Sequence, residues 1–390
     1  MERKQRYTLF ISLILLMCIN NVLLANGLTN ALDVLRIPIQ LVLLIFLIAQ
    51  FSVSKVRNAL SSYNIIASIV IYILYILIQI LLFSTNYKND ISNSLYGFVC
   101  FLLFYTNPYI QNEKYLKLVL LLSFVFFSSS FLYFRFNPPI TSNPLNIYHA
   151  LYVNSIYYIV CLLPFLLSYK KSIIYLIVCA ICIFASSKQG AFVGIVAATF
   201  VYYIVDMRIR DKVIDAKMIF GVVLLLIILI VAYLYISNTY SMNILEGFDT
   251  LGEDGGNGRL EIYTAVSNRF WNSDMMNFLF GHGGLGAVSK AIGISAHNDF
   301  LEVIFDFGCV GLLLYVVIIV KLFLVGYRFI RVKYYLAPAF MSSIVLFFIL
   351  SMFSHMAFIL KYAMILFAFW GYCLNKYIIY EYKNSCNSTR

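Results

Sequence analysis

The chain has 390 residues, of which 62% are hydrophobic and only 12% charged, whereas an ordinary soluble domain is about half apolar and about a quarter charged. So little polar surface cannot cover a water-soluble globule, which excludes soluble enzymes and binding modules and leaves an integral membrane protein. The formal net charge of +11 would suit nucleic acid, but the bases sit in short segments between apolar runs, so no nucleic-acid partner is expected.

Twelve apolar runs approach the roughly 20 residues that a spanning helix needs. They fall near 7–25, 32–51, 62–83, 91–106, 115–134, 148–168, 172–187, 189–206, 216–236, 299–325, 335–354 and 357–376. Each run is continuous, without the alternation of a membrane barrel. The expected fold class is therefore an all-α integral membrane protein with about 12 transmembrane helices. The first run follows MERKQR, is long enough to span and is not closed by an A-x-A site, so it reads as a span and not as a cleaved signal peptide. With both termini cytoplasmic, most of the bases (among them Arg57, Lys171, Arg208, Arg210, Arg328, Arg331 and Lys333) fall on the inner side. That bias sets the orientation. Cys179 and Cys182 form a C-x-x-C inside an apolar run and read as packed thiols, not as a redox or metal pair.

The chain then divides into helices 1–9 over 1–236, a long polar loop over 237–298 placed outside the cytoplasm, and helices 10–12 with a cytoplasmic tail over 299–390. A shorter outer loop from Arg135 to His149 holds three prolines, Pro138, Pro139 and Pro144. Within the large loop, a turn-rich lead-in carries the acids Asp249, Glu253 and Asp254. RLEIYTAVSNRFWN follows with helical spacing of Leu260, Tyr263, Val266, Phe270 and Trp271. FLFGHGGLG returns the chain to the membrane. The sequence GHGGLG fits G-x-G-x-x-G, but no βαβ unit surrounds it, so a dinucleotide fold is excluded. What the turn offers is backbone freedom and exposed N–H groups, through Gly281 and Gly283, which could approach a phosphate.

The stretch SAHNDFLEVIFDFGCVG, Ser295 to Gly311, places a histidine and three carboxylates at the mouth of a spanning helix. Asp299 reads as a helix cap. Asp306 lies two turns into the span, where an acid is costly and usually faces a cavity or partner. Gly308 and Gly311 read as helix-packing contacts. On the outer face Lys188, in the turn SSKQGA, and Arg259 and Arg269 are the bases able to clamp a pyrophosphate.

GNGRLEIY, LFGHGGLG and AHNDFLEVIFDFGCVG, in this order, resemble the O-antigen polymerase and ligase superfamily. SSKQGA resembles that group's Ser-Arg-x-Gly-Ala element, with Lys188 in the arginine position. The resemblance implies a GT-C-like membrane glycosyltransferase in the bacterial inner membrane, a Wzy-type O-antigen or capsular polysaccharide polymerase. Its substrates would be undecaprenyl-diphosphate-linked oligosaccharides drawn from the membrane lipid, and it allows a chain-length regulator as a partner. No D-x-D element occurs, so no metal and no cofactor is expected; cations would neutralise the leaving diphosphate. On this reading His297, Arg259 and Glu302 are catalytic, His297 as base with Glu302 as its alternate. Lys188, Asn298, Arg269, Gly281, Gly283 and Asp306 are expected to contact substrate. An O-antigen ligase, which delivers glycan to lipid A–core, is the nearest alternative, and a lipid-linked oligosaccharide flippase or transporter the second.

Overall fold

The computed structural model describes residues 65–83, 87–106, 113–137, 155–169, 173–186, 188–211, 231, 259–354, 356 and 360–388. Among them every regular element is an α-helix and no strand occurs. In chain order these are α1 (Ile65–Phe83), α2 (Tyr87–Thr106), α3 (Glu113–Phe136), α4 (Ile156–Tyr169), α5 (Ile173–Ser186) and α6 (Gln189–Arg210). Then come α7 (Arg259–Trp271), α8 (Met275–Phe280), α9 (Ala287–Ile292), α10 (Asp299–Arg331), α11 (Ala337–Phe353) and α12 (Leu360–Ser388). Among the described residues, five stretches are long and apolar enough to cross a membrane: Ile65–Phe83, Leu116–Phe136, Gln189–Arg210, Asp299–Arg331 and Ala363–Glu381. Shorter apolar stretches are Gly97–Thr106, Ile156–Tyr169, Ile174–Ser186 and Ala337–Phe353. The expected runs 7–25 and 32–51 lie outside the described residues, as does 216–236 except for Val231. So do the three prolines of the shorter loop and the acids Asp249, Glu253 and Asp254.

Burial separates two kinds of apolar helix. In α4 every residue from Ile156 to Leu167 is buried, and α3, α5, α11 and α12 pack around it. A helix apolar on all sides belongs in such a central position. By contrast α1 exposes Ile71, Leu74, Ile78, Leu81 and Leu82, whose spacing draws one stripe along the helix. That stripe is exposed, as on a helix that meets lipid, while Ile69, Tyr72, Ile76 and Ile80 turn into the core. Lys321 of α10 lies at membrane depth with its Nζ donating to Ser68 Oγ of α1 at 2.6 Å; a cation there needs such a partner. Cys179 and Cys182 are both buried free thiols.

A second, smaller core joins α7, α8 and α9 to the start of α10. It is formed by Val266, Phe270, Ala287, Val288, Ala296 and Phe305. The segment RLEIYTAVSNRFWN forms α7, but its apolar stripe divides: Val266 and Phe270 are buried, whereas Leu260 is 63% and Trp271 70% exposed. The described part of the polar loop therefore folds on the first turns of α10, not on itself alone.

Candidate functional site

The element expected as one continuous span, α10, is broken. Gly308 takes φ 68°, ψ −173° inside it, a conformation open to glycine and not to L side chains, so it is more than a packing contact. A break frees the carbonyls of the preceding turn, and each finds a donor elsewhere. Phe305 O accepts the His282 N–H at 3.0 Å, Asp306 O accepts the Gly284 N–H at 3.2 Å, and Phe307 O accepts the Tyr75 hydroxyl of α1 at 2.6 Å. The His282 ring stacks on Phe305 with centroids 4.1 Å apart.

The Asp306 side chain completes the clasp. It is 1% exposed and accepts from the Gly286 N–H at 2.7 Å and the Val288 N–H at 3.1 Å, holding the start of α9. Contact is so close that a Cβ on Gly281 would collide with Asp306 O, and one on Gly308 with Leu279 O. Gly281 and Gly283 hold φ of 90° and 110°, as the turn requires. This corrects the expectation for the turn: the N–H groups of His282, Gly284, Gly286 and Val288 are spent on α10. Asp306 and Gly281 thus tie the turn to α10 at positions where a contact with substrate was expected.

The same end of α10 fixes His297. Asn298 is the N-cap, its Oδ1 accepting from the Phe300 and Leu301 N–H groups at 3.0 and 3.2 Å. The cap expected at Asp299 is therefore one residue earlier, and only the Nδ2 of Asn298 is left as a donor for a ligand. Asp299 is fully buried, with both carboxylate oxygens 3.0 Å from the Met356 N–H. It pins the connection between α11 and α12 to the start of α10. Glu302 is buried and accepts the Ala296 N–H at 2.5 Å, which braces the turn before α10. Between these anchors His297 is held at φ 51°, a left-handed conformation that costs a non-glycine residue and tends to occur at functional sites. Ser295 Oγ lies 3.5 Å from its Nε2.

Two cations converge on this histidine from distant parts of the chain. Burial lowers the pKa of His297 below its ordinary value, and the charges of Arg259 and Lys188 lower it further. Burial, then the charge of Arg259, likewise lowers that of Lys188. Lys188 is the N-cap of α6, its N–H bonded to Ser186 Oγ at 3.1 Å. Here α6 touches the end of α11, where a Cβ on Gly190 would lie 3.0 Å from Phe353 Cβ. Arg259 opens α7, where the positive end of the helix dipole adds to its field. Tyr157, at the start of α4, also feels Arg259 and hydrogen-bonds Ser354, the C-cap of α11. Sequence reasoning missed Tyr157 because a tyrosine in an apolar run carries no signal of its own. Arg269 is engaged elsewhere, its Nη1 donating to Ala291 O at the end of α9 and so clipping the loop helices together. Among the described residues, no three His, Cys, Asp or Glu side chains gather as a metal-binding group.

Lys188, Arg259 and His297, from the α5–α6 turn, the start of α7 and the turn before α10, therefore lie close enough for the two cations to act on the histidine. Residues 174–316 match the family model described as O-antigen ligase. The matched stretch runs from α5 into α10 and holds all three of these residues. That stretch is thus similar to the O-antigen ligase/polymerase superfamily, a glycosyltransferase-like group of enzymes, and the apolar helices agree with a membrane protein. No curated protein matches the chain.

Proposed function

We propose that this protein transfers glycan from a polyprenyl diphosphate to a sugar hydroxyl at the non-cytoplasmic face of the bacterial inner membrane. The observation that carries the reading is the convergence of Lys188, Arg259 and His297. Arg259 disfavours the charged form of Lys188, and a diphosphate between the two would stabilise both cations, so the pair favours the leaving group as it departs. A bidentate guanidinium suits its oxygens. His297, kept neutral by burial and by its neighbours, accepts the proton of the acceptor hydroxyl as that oxygen bonds to the anomeric carbon. The bond from that carbon to the diphosphate oxygen breaks, and its electron pair leaves with the diphosphate.

The acceptor in this reading is the nonreducing end of a new lipid-linked repeat unit, making the protein a Wzy-type O-antigen or capsular polymerase in a GT-C-like frame. No metal takes part. The description of the matching family favours a second reading, transfer to lipid A–core by an O-antigen ligase. Deleting the gene separates them on a gel of surface polysaccharide. Single repeat units left on lipid A–core support the polymerase, whereas polymer stranded on the carrier lipid supports the ligase. Vesicles that move labelled lipid-linked glycan across the bilayer without forming a glycosidic bond would overturn both in favour of a flippase.

A further inference from the structure

The elbow between α7 and α8 presents Trp271, Met275 and Met276 at 70%, 71% and 66% exposure, with Phe280 at 37%. These side chains are not loose. Trp271 packs edgewise on Phe270, its ring centroid 5.7 Å away, and Phe270 stacks on Phe278 at 5.0 Å. The polar groups between them are satisfied internally: Asp274 accepts from the Met276 and Asn277 N–H groups and from Asn277 Nδ2. Four large apolar side chains on such a rigid elbow need a cover.

Its position indicates which one. Phe280 O meets the Tyr75 hydroxyl at 3.4 Å, while Gly283 comes up beside Phe83 at the end of α1. Tyr75 lies below Phe83 by about 12 Å at 1.5 Å per residue, so α8 ends beneath the outer rim of a helix whose Ile71, Leu74, Ile78 and Leu81 face lipid. The elbow is joined to that helix through Phe280 and, by way of the turn that follows, Gly283. Tryptophan beside polar groups is the composition of a membrane interface. We propose that the α7–α8 elbow is immersed in the lipid leaflet at the depth of the headgroups and first acyl carbons, with Trp271, Met275, Met276 and Phe280 in contact with phospholipid. Because α7 runs from this anchor to Arg259, the leaflet then sets the height of the cationic pocket. The inference rests on the membrane character of the chain and is independent of the transferase reading.

The chain contains two tryptophans, and Trp370 is buried in the bundle with its Nε1 donating to Ser343 Oγ. Full-length wild-type protein and Trp271→Phe are reconstituted in nanodiscs of phosphatidylcholine brominated either near the glycerol or near the chain end; subtracting their spectra isolates Trp271. The expected Trp271 component is blue-shifted, loses most of its emission to shallow bromine and less to deep bromine, and is spared by aqueous iodide. Strong iodide quenching without bromolipid quenching would overturn the proposal in favour of water. Quenching by neither would overturn it in favour of a protein cover, a second copy included. Met275→Ser with Met276→Ser, which leaves both tryptophans in place, is expected to red-shift the Trp271 component; an unchanged spectrum would count against immersion.

Discussion

At one end of the bundle Arg328 meets Glu381 at 2.7 Å, Lys333 meets Asp211 at 2.5 Å and Arg210 meets Asp206 at 3.1 Å. At the other, Arg259 and Lys188 act on each other and on His297, and no described carboxylate forms an ion pair with either cation. The paired cations are largely exposed, so each pair contributes only about 0–1 kcal/mol. Like charges gathered in a partly buried pocket cost stability in the absence of an anion, which is what a site for a polyanion requires.

The largest effect that tests this contrast is on transfer. His297→Ala is expected to slow chain extension about 10²- to 10⁴-fold as a lost base. Arg259→Ala should slow it about 10²- to 10³-fold, by analogy with lost oxyanion donors. Both should leave the amount of protein in the membrane unchanged, and Arg259→Lys should recover part of the rate. Wild-type polymer length in His297→Ala would break the comparison. Next comes folding. Gly308→Ala forces a Cβ against Leu279 O at positive φ and should cost about 1–3 kcal/mol or more. Asp306→Asn should cost about 1.5–3 kcal/mol by weakening charged hydrogen bonds. Thermal unfolding in detergent measures both, and a wild-type midpoint in either would remove the clasp from the account.

A subtler test reads protonation. Since His297 must be neutral to accept a proton and its pKa is lowered, the acid limb of kcat/KM should lie below the usual histidine range. Bound diphosphate favours the imidazolium, so the limb of kcat should lie at higher pH than that of kcat/KM. Arg259→Gln removes one of the lowering charges and should move the kcat/KM limb upward; a limb indifferent to Arg259 would separate the two residues. Smallest of all, Arg328→Ala and Lys333→Ala should shift stability by about 1 kcal/mol or less and leave transfer rates as they are. A large loss of transfer in either would mean that the paired end is functional too.

The placement of most described helices could be read from the sequence because apolar length is a strong signal; Lys188 and His297 stood out as polar residues at the mouths of apolar runs, and Arg259 as one of the few bases in the polar loop. What each acid holds could not be read. Asp299, Glu302 and Asp306 resemble one another in sequence, yet one holds Met356, one Ala296 and one the start of α9. Those partners are backbone N–H groups, which carry no residue signature. For the same reason GHGGLG looked like an open phosphate turn; only the kink at Gly308 supplies the carbonyls that occupy it. Asn298 and Asp299 are equally good caps by type, so only the structure separates them.

The clasp also constrains how the protein is made. In hydrocarbon an unpaired carbonyl costs several kcal/mol, and the kink leaves those of Phe305, Asp306 and Phe307 dependent on His282, Gly284 and Tyr75. During biogenesis the inner part of α10 can enter the bilayer as an ordinary helix. Its first turns can settle only after the preceding loop has folded, and only against an α1 already in place. Folding of the loop, docking on α1 and completion of α10 are thus one ordered event, and the site forms at its last step.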